Sequence, residues 1–224
     1  MQVIGHRGCA DVYPENTVRA VTRAAKFLDA VEVDVRRCGS GELVVFHDET
    51  VDRLTDASGR LADMAWAELR ELDVLGSGES IPRLETVLAA VPDGVELQIE
   101  LKETGLAADV REAVRAADCE VSVSSFDEAA IREVVDLGWD VSTGLLFESD
   151  PLEKLQTAVD LGCDAVHPYY DMCLETDVVE AAHEAGLAVV AWKAARRRTE
   201  IHVLRSLGVD GVTADRWEIA SGLA

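Results

Sequence analysis

The chain has 224 residues, 48% of them hydrophobic, enough for one substantial core without disulfides or structural metal. Its 43 Asp and Glu against 21 Lys and Arg give a net charge of −22, the reverse of the basic footprint of a nucleic-acid binder. With no apolar run near roughly eighteen residues and no charged, apolar, small-residue leader, the expectation is a cytoplasmic protein without stable membrane association.

Only four of the 21 basic residues are lysines: Lys26, Lys102, Lys154 and Lys193. Such an acidic, lysine-poor composition resembles proteins of salt-loving microbes, in which dense salt screens the self-repulsion, and a halophilic archaeon is the expected source. The five cysteines are odd in number, widely spaced and without a C-x-x-C pair, so they specify neither a disulfide framework nor a zinc site. Cys9 alone lies near candidate chemistry.

Apolar runs rich in Val and Ile alternate with helical stretches, the pattern of βαβ units and a parallel sheet. Strands are expected at 2–5, 30–35, 43–46, 95–101, 120–124, 141–146, 164–167, 188–192 and 210–213. The second and third are joined only by Cys38-Gly39-Ser40-Gly41, too short for a parallel crossover, so they form a hairpin. Pairing 37 with 42 would set Glu32 opposite His47. Eight strands remain, each followed by a plausible helix, the last at about 215–223. That is the count of a single-domain (β/α)₈ TIM barrel over 1–224, with an extra β-hairpin arm after strand 2. The one long excursion, a small insertion at about 48–82, holds a helix around 66–72, and the crossover helix proper follows at 84–91.

Reactive residues gather at the carboxyl ends of these strands, where α/β folds bind ligands. His6-Arg7-Gly8 follows the first strand, ahead of Pro14-Glu15-Asn16-Thr17. In Glu32-Val33-Asp34 the alternation of a strand puts both acids on one face among apolar flanks, and a divalent cation relieves the repulsion. Glu100-Leu101-Lys102 repeats the pattern on the next barrel strand. Three carboxylates suit one hard cation, Mg²⁺ or Ca²⁺, rather than zinc. His47-Asp48 supplies a second imidazole; His167 ends a strand and could face the barrel mouth, while His183 and His202 fall in helices. Two imidazoles, two cations and three acids form a recipe for phosphoryl transfer.

His6-Arg7-Gly8, Pro14-Glu15-Asn16-Thr17, Glu32-Val33-Asp34-Val35, Val45-Phe46-His47-Asp48 and Glu100-Leu101-Lys102, in this order, resemble the glycerophosphodiester phosphodiesterase family of metal-dependent (β/α)₈ barrels. The resemblance continues through Ile81-Pro82-Arg83-Leu84-Glu85, Ser124-Ser125-Phe126 and Asp210-Gly211-Val212-Thr213-Ala214-Asp215. It implies that His6 and His47 are the acid–base pair, that Glu32, Asp34 and Glu100 hold the metal, and that Arg7 and Lys102 contact phosphate. Glu15 would orient the first loop or touch the glycerol end, and Phe126 and Trp192 would line the pocket. The implied reaction is hydrolysis of a small-molecule glycerophosphodiester to glycerol phosphate and an alcohol, with water or a neighbouring glycerol hydroxyl as available nucleophiles. A phospholipase C- or D-like lipid phosphodiesterase and a non-catalytic phosphodiester-binding barrel are the alternatives. After Trp192 the sequence runs Lys193-Ala194-Ala195, where the family often has Thr and a later Asn. Nothing in the pattern specifies an oligomer.

Overall fold

The structure, a computed structural model, describes residues 1–117, 119–193 and 198–220. Nine strands run in chain order: β1 (Gln2–Gly5), β2 (Ala30–Arg37), β3 (Leu43–Val45), β4 (Glu96–Leu101), β5 (Val121–Ser125), β6 (Ser142–Phe147), β7 (Ala165–Pro168), β8 (Ala188–Ala191) and β9 (Gly211–Ala214). Apart from β3 they pair in parallel in the order β1-β9-β8-β7-β6-β5-β4-β2, and β1 pairs with β2, so the sheet closes on itself. The fold is the expected eight-stranded parallel barrel with alternating helices.

Strand alternation divides the side chains into two sets. Val31, Val33, Val35, Leu97, Ile99 and Leu101 point outward into a shell closed by α1 (Val18–Ala24), α3 (Leu84–Leu88), α4 (Ala107–Arg115) and α5 (Glu128–Asp136). The shell continues under α6 (Pro151–Leu161), α7 (Tyr170–Glu175), α8 (Val178–Glu184) and α9 (Arg198–Ser206). Glu32, Asp34, Gln98 and Glu100 fall on the alternate face and are buried. Of the last helical stretch, Trp217–Ala220 forms a short 3₁₀ turn, and 221–223 lie outside the described residues.

β3 pairs antiparallel with β2, but one residue out of the expected register: Arg37 faces Leu43 and Val35 faces Val45. The loop is longer than its glycines suggested, because Cys38 N–H donates to the Glu42 carbonyl and Gly41 takes φ +100°. A one-residue slip exchanges the two faces of an arm. His47 is therefore not opposite Glu32, and Phe46 N–H instead donates to the Asp34 carbonyl. The insertion carries its own small core of Phe46, Val51, Leu54, Leu61, Leu69, Val74 and Ile81 beside α2 (Trp66–Leu69). The Arg83 guanidinium stacks 4.6 Å from the Trp66 ring.

The first loop is set by packing against α1. A Cβ on Gly8 (φ +76°) would stand 2.7 Å from the Ala20 carbonyl carbon, so only glycine fits. Thr17 caps the helix by accepting from Ala20 N–H. Arg7 and Cys9 are held at φ +49° and +70°, a strained turn of the kind that persists where its surroundings dictate it.

Candidate active site

Glu32, Asp34 and Glu100 converge inside the barrel mouth, each offering a carboxylate oxygen within 4.8 Å of the others, the cation-ligating cluster found among the described residues. Glu32 Oε1 and Asp34 Oδ1 are buried without a hydrogen-bond partner. Burial, reinforced by the charge of Asp34, pushes Glu32 up to about 8. The same two causes raise Glu100, whereas Arg7 and Lys102 overcome burial at Asp34 and hold its carboxyl below the usual range. Three buried acids, two of them with orphaned oxygens, fit a hard divalent cation, which would replace the missing partners and remove the repulsion.

Around the cluster stand the two expected cations. Arg7 donates its backbone N–H to Glu32 (2.8 Å), and its guanidinium reaches Glu15 (2.9 Å) and Asp34 (3.3 Å). Lys102 Nζ lies 2.5 Å from Glu100 and 3.5 Å from Asp34. Both keep positive charge beside the acids, and the Arg7 Nε has no hydrogen-bond partner, an arrangement able to receive an anionic oxygen.

Each histidine is oriented by a carboxylate. His6 Nδ1 lies 2.7 Å from Asp215, which follows β9, and His47 Nδ1 lies 2.6 Å from Asp48. A carboxylate at Nδ1 directs Nε2 away from itself and fixes the tautomer. Burial opposes a charge on His6, but the Asp215 hydrogen bond and the field of Glu32 outweigh it and raise its pKa. At His47 burial wins, aided by the charges of Arg7 and Lys102, and the pKa is lowered.

On the far side of Lys102 the rings of Phe126 and Trp192 meet edge-on at 5.1 Å, and Tyr169 adds a third ring 5.2 Å from Trp192. Trp192 is anchored by its indole N–H on the Phe147 carbonyl. Lys193 N–H donates to Thr213, while Ala194 and Ala195 lie outside the described residues. Both Glu15 oxygens are engaged by Arg7 and Arg53, an arrangement that orients the loop.

Sequence reasoning gave no role to Asp215, Asn16 or Tyr169. Asn16 Nδ2 donates to Asp34 Oδ2 (2.8 Å) while its Oδ1 accepts from Asp34 N–H, a two-point clamp on a candidate ligand. Its place directly before a helix-capping Thr was the available signal. His167 does not face the mouth. Gly144 makes room for its ring inside the barrel, above a cavity of about 190 Å³ shared with Gln2, Glu96 and Ser122 at the strands' amino ends. Burial lowers its pKa to about 4.

The sequence matches the profile of the Glycerophosphoryl diester phosphodiesterase family over residues 6–219, nearly the whole chain. The chain belongs to this family. A glycerophosphodiester phosphodiesterase of Caldanaerobacter subterraneus subsp. tengcongensis is 32% identical over 228 residues, spanning 95% of this chain and 93% of the relative. Among solved structures, a phosphodiesterase of Oleispira antarctica in complex with the product sn-glycerol-3-phosphate superposes with a TM-score of 0.90 at 27% identity, over 100% of this chain and 96% of that one. The family's enzyme from Thermotoga maritima gives 0.86 at 27%, over 100% and 98%. Family membership agrees with the barrel and with a metal-dependent site; no helix of the described residues is long and apolar enough to cross a membrane.

Proposed function

We propose that this protein hydrolyses glycerophosphodiesters to glycerol phosphate and an alcohol, using His6 and His47 as its acid–base pair. The observation that carries this reading is that two imidazoles, each oriented by its own aspartate, flank a buried three-carboxylate cluster with Arg7 and Lys102 beside it. Glu32, Asp34 and Glu100 hold one divalent cation, Mg²⁺ or Ca²⁺, which when bound polarises the phosphoryl oxygens. Arg7 and Lys102 bind the non-bridging oxygens and neutralise the charge that grows on them as the P–O bond breaks. One imidazole takes a proton from the attacking water, or from a glycerol hydroxyl whose cyclic phosphate water then opens, and the other delivers a proton to the leaving oxygen, about 10²–10⁴-fold in rate for each well-placed group. Asp215 and Asp48 keep the rings turned toward the phosphate. Phe126 and Trp192 bound the pocket on the Lys102 side and pack the carbon atoms of the diester.

Residues 1–224 act as one catalytic domain in this reading. An intracellular site of action is supported by five cysteines left as thiols, and operation in dense salt by the net charge of −22. The test is release of glycerol phosphate by purified protein in molar KCl, after chelation and then with Mg²⁺ or Ca²⁺, against several glycerophosphodiesters. Activity restored by one of the cations is expected. No release under any of these conditions overturns the reading, and so does an undiminished rate in Glu32→Ala or His6→Ala.

A further inference from the structure

Arg53 stands in the insertion, half exposed at the rim of the site, and belongs to none of the groups assigned so far. Its guanidinium makes four hydrogen bonds. Along one edge, Nε and Nη2 donate to Asp48 Oδ2 (2.6 Å) and Oδ1 (2.9 Å). Along the adjacent edge, Nη1 and Nη2 donate to Glu15 Oε2 (2.9 Å) and Oε1 (2.8 Å). Nη2 is common to both pairs, and each oxygen it touches is also held from within the site: Asp48 Oδ1 by His47 Nδ1 at 2.6 Å, and Glu15 Oε1 by Arg7 Nη1 at 2.9 Å.

We propose that Arg53 is a positioning residue for the reaction, a single planar brace that sets the orientation of His47 through Asp48 and of Arg7 through Glu15. The proposal rests on the hydrolytic reading above. Without the guanidinium, Asp48 and Glu15 would face each other as like charges, and each would be free to rotate away from the group it holds. A fork of donors in one plane can serve two carboxylates at once, which the three donors of a lysine ammonium, radiating from one atom, cannot reproduce. Arg53 thereby gives the insertion a part in catalysis: the segment after His47 folds on its own small core and returns one side chain to the mouth.

The test is a kinetic cycle on the cation-loaded enzyme with Arg53→Gln, Arg53→Lys, Asp48→Asn and the Arg53→Gln/Asp48→Asn double variant, together with ¹⁵N spectra of the His47 ring. The expected result is a fall in kcat of roughly 10–100-fold in Arg53→Gln with KM within about threefold, on the scale of a lost charge-assisted orienting contact. Lysine should not restore it. The double variant should be slower than Asp48→Asn alone by less than the full Arg53→Gln loss, because the two changes share the His47 arm and only Arg53→Gln also breaks the Glu15–Arg7 arm. The His47 ring signals should move in Arg53→Gln. Additive losses, a full lysine rescue, or a lower Tm with kcat unchanged would overturn the brace. The spectra read it independently of turnover: unmoved His47 signals sink it even in an inactive protein, whereas moved signals in a protein that releases no glycerol phosphate leave the brace standing and sink the hydrolytic reading.

Discussion

Glu32→Gln should make the cation-free protein more stable while destroying the enzyme. Glu32 is held at about 8 against 4.5 in an ordinary glutamate, first by burial and then by the charge of Asp34. A group whose folded pKa lies above its unfolded value contributes stability that is complete below the unfolded pKa and is lost as pH rises through the folded one. The window here runs from about pH 4.5 to 8. At pH 7.5 the difference amounts to three units, a ceiling of about 4 kcal/mol at ~1.4 kcal/mol per unit. Relaxation and water in the mouth bring the expected gain to roughly 2–3 kcal/mol. Glutamine is suited to capture it. Its Oε1 can still accept from Arg7 N–H, and its amide places donors where Glu32 Oε1 now stands unpartnered beside two acids. The assay is guanidinium unfolding in molar KCl with chelator, at pH 5 and pH 7.5. The variant should gain over wild type chiefly at the higher pH. With saturating divalent cation the order should reverse, since the ion stabilises only a folded state that binds it well. Equal or lower stability of the variant in chelator at pH 7.5 would refute the reasoning that a charged Glu32 strains the fold in the absence of a cation.

Two further outcomes follow from buried positions. His167 has a folded pKa of about 4 because it is desolvated, so the unfolded chain takes up the proton first as pH falls from 6.5, and stability drops by about 3 kcal/mol by pH 4. The difference in unfolding free energy between wild type and His167→Gln should narrow by that amount over the same range; parallel curves would show the ring to be hydrated. Gly8→Ala forces a Cβ to 2.7 Å from the α1 backbone at φ +76°, and should cost about 3 kcal/mol by urea unfolding. A loss under about 1 kcal/mol would mean that the first loop yields readily.

Much of the site is local in sequence, and those parts were legible. Glu32 and Asp34 share a strand face by alternation, and their apolar flanks predicted the burial that the barrel imposes. Glu100 and Lys102 follow the same rule on the neighbouring barrel strand. What resisted reading depends on loops and on distance. The hairpin register turned on one hydrogen bond, Cys38 N–H to Glu42, which no composition rule supplies. Asp215 meets His6 across 209 positions, and only closure of β9 on β1 brings them together. His167 was misplaced because a strand end does not say how deep a side chain sits; the vacancy left by Gly144 on the adjacent strand admits its ring to the interior. Asn16 and Arg53 act through carboxylates whose positions depend on the first loop and on the insertion.

The bond between His6 and Asp215 has a consequence for how the protein is made. During synthesis His6 emerges from the ribosome 209 residues before Asp215, the carboxylate that its ring meets. β1 also has no partner on its β9 side until that last strand arrives. A nascent chain therefore carries the residues of an active centre without its geometry, and hydrolytic competence switches on at ring closure rather than building up strand by strand. Circular permutants that move the break away from this seam, so that β9 and β1 are translated together, should assemble His6 and Asp215 early and leave a different pair of neighbours to come last.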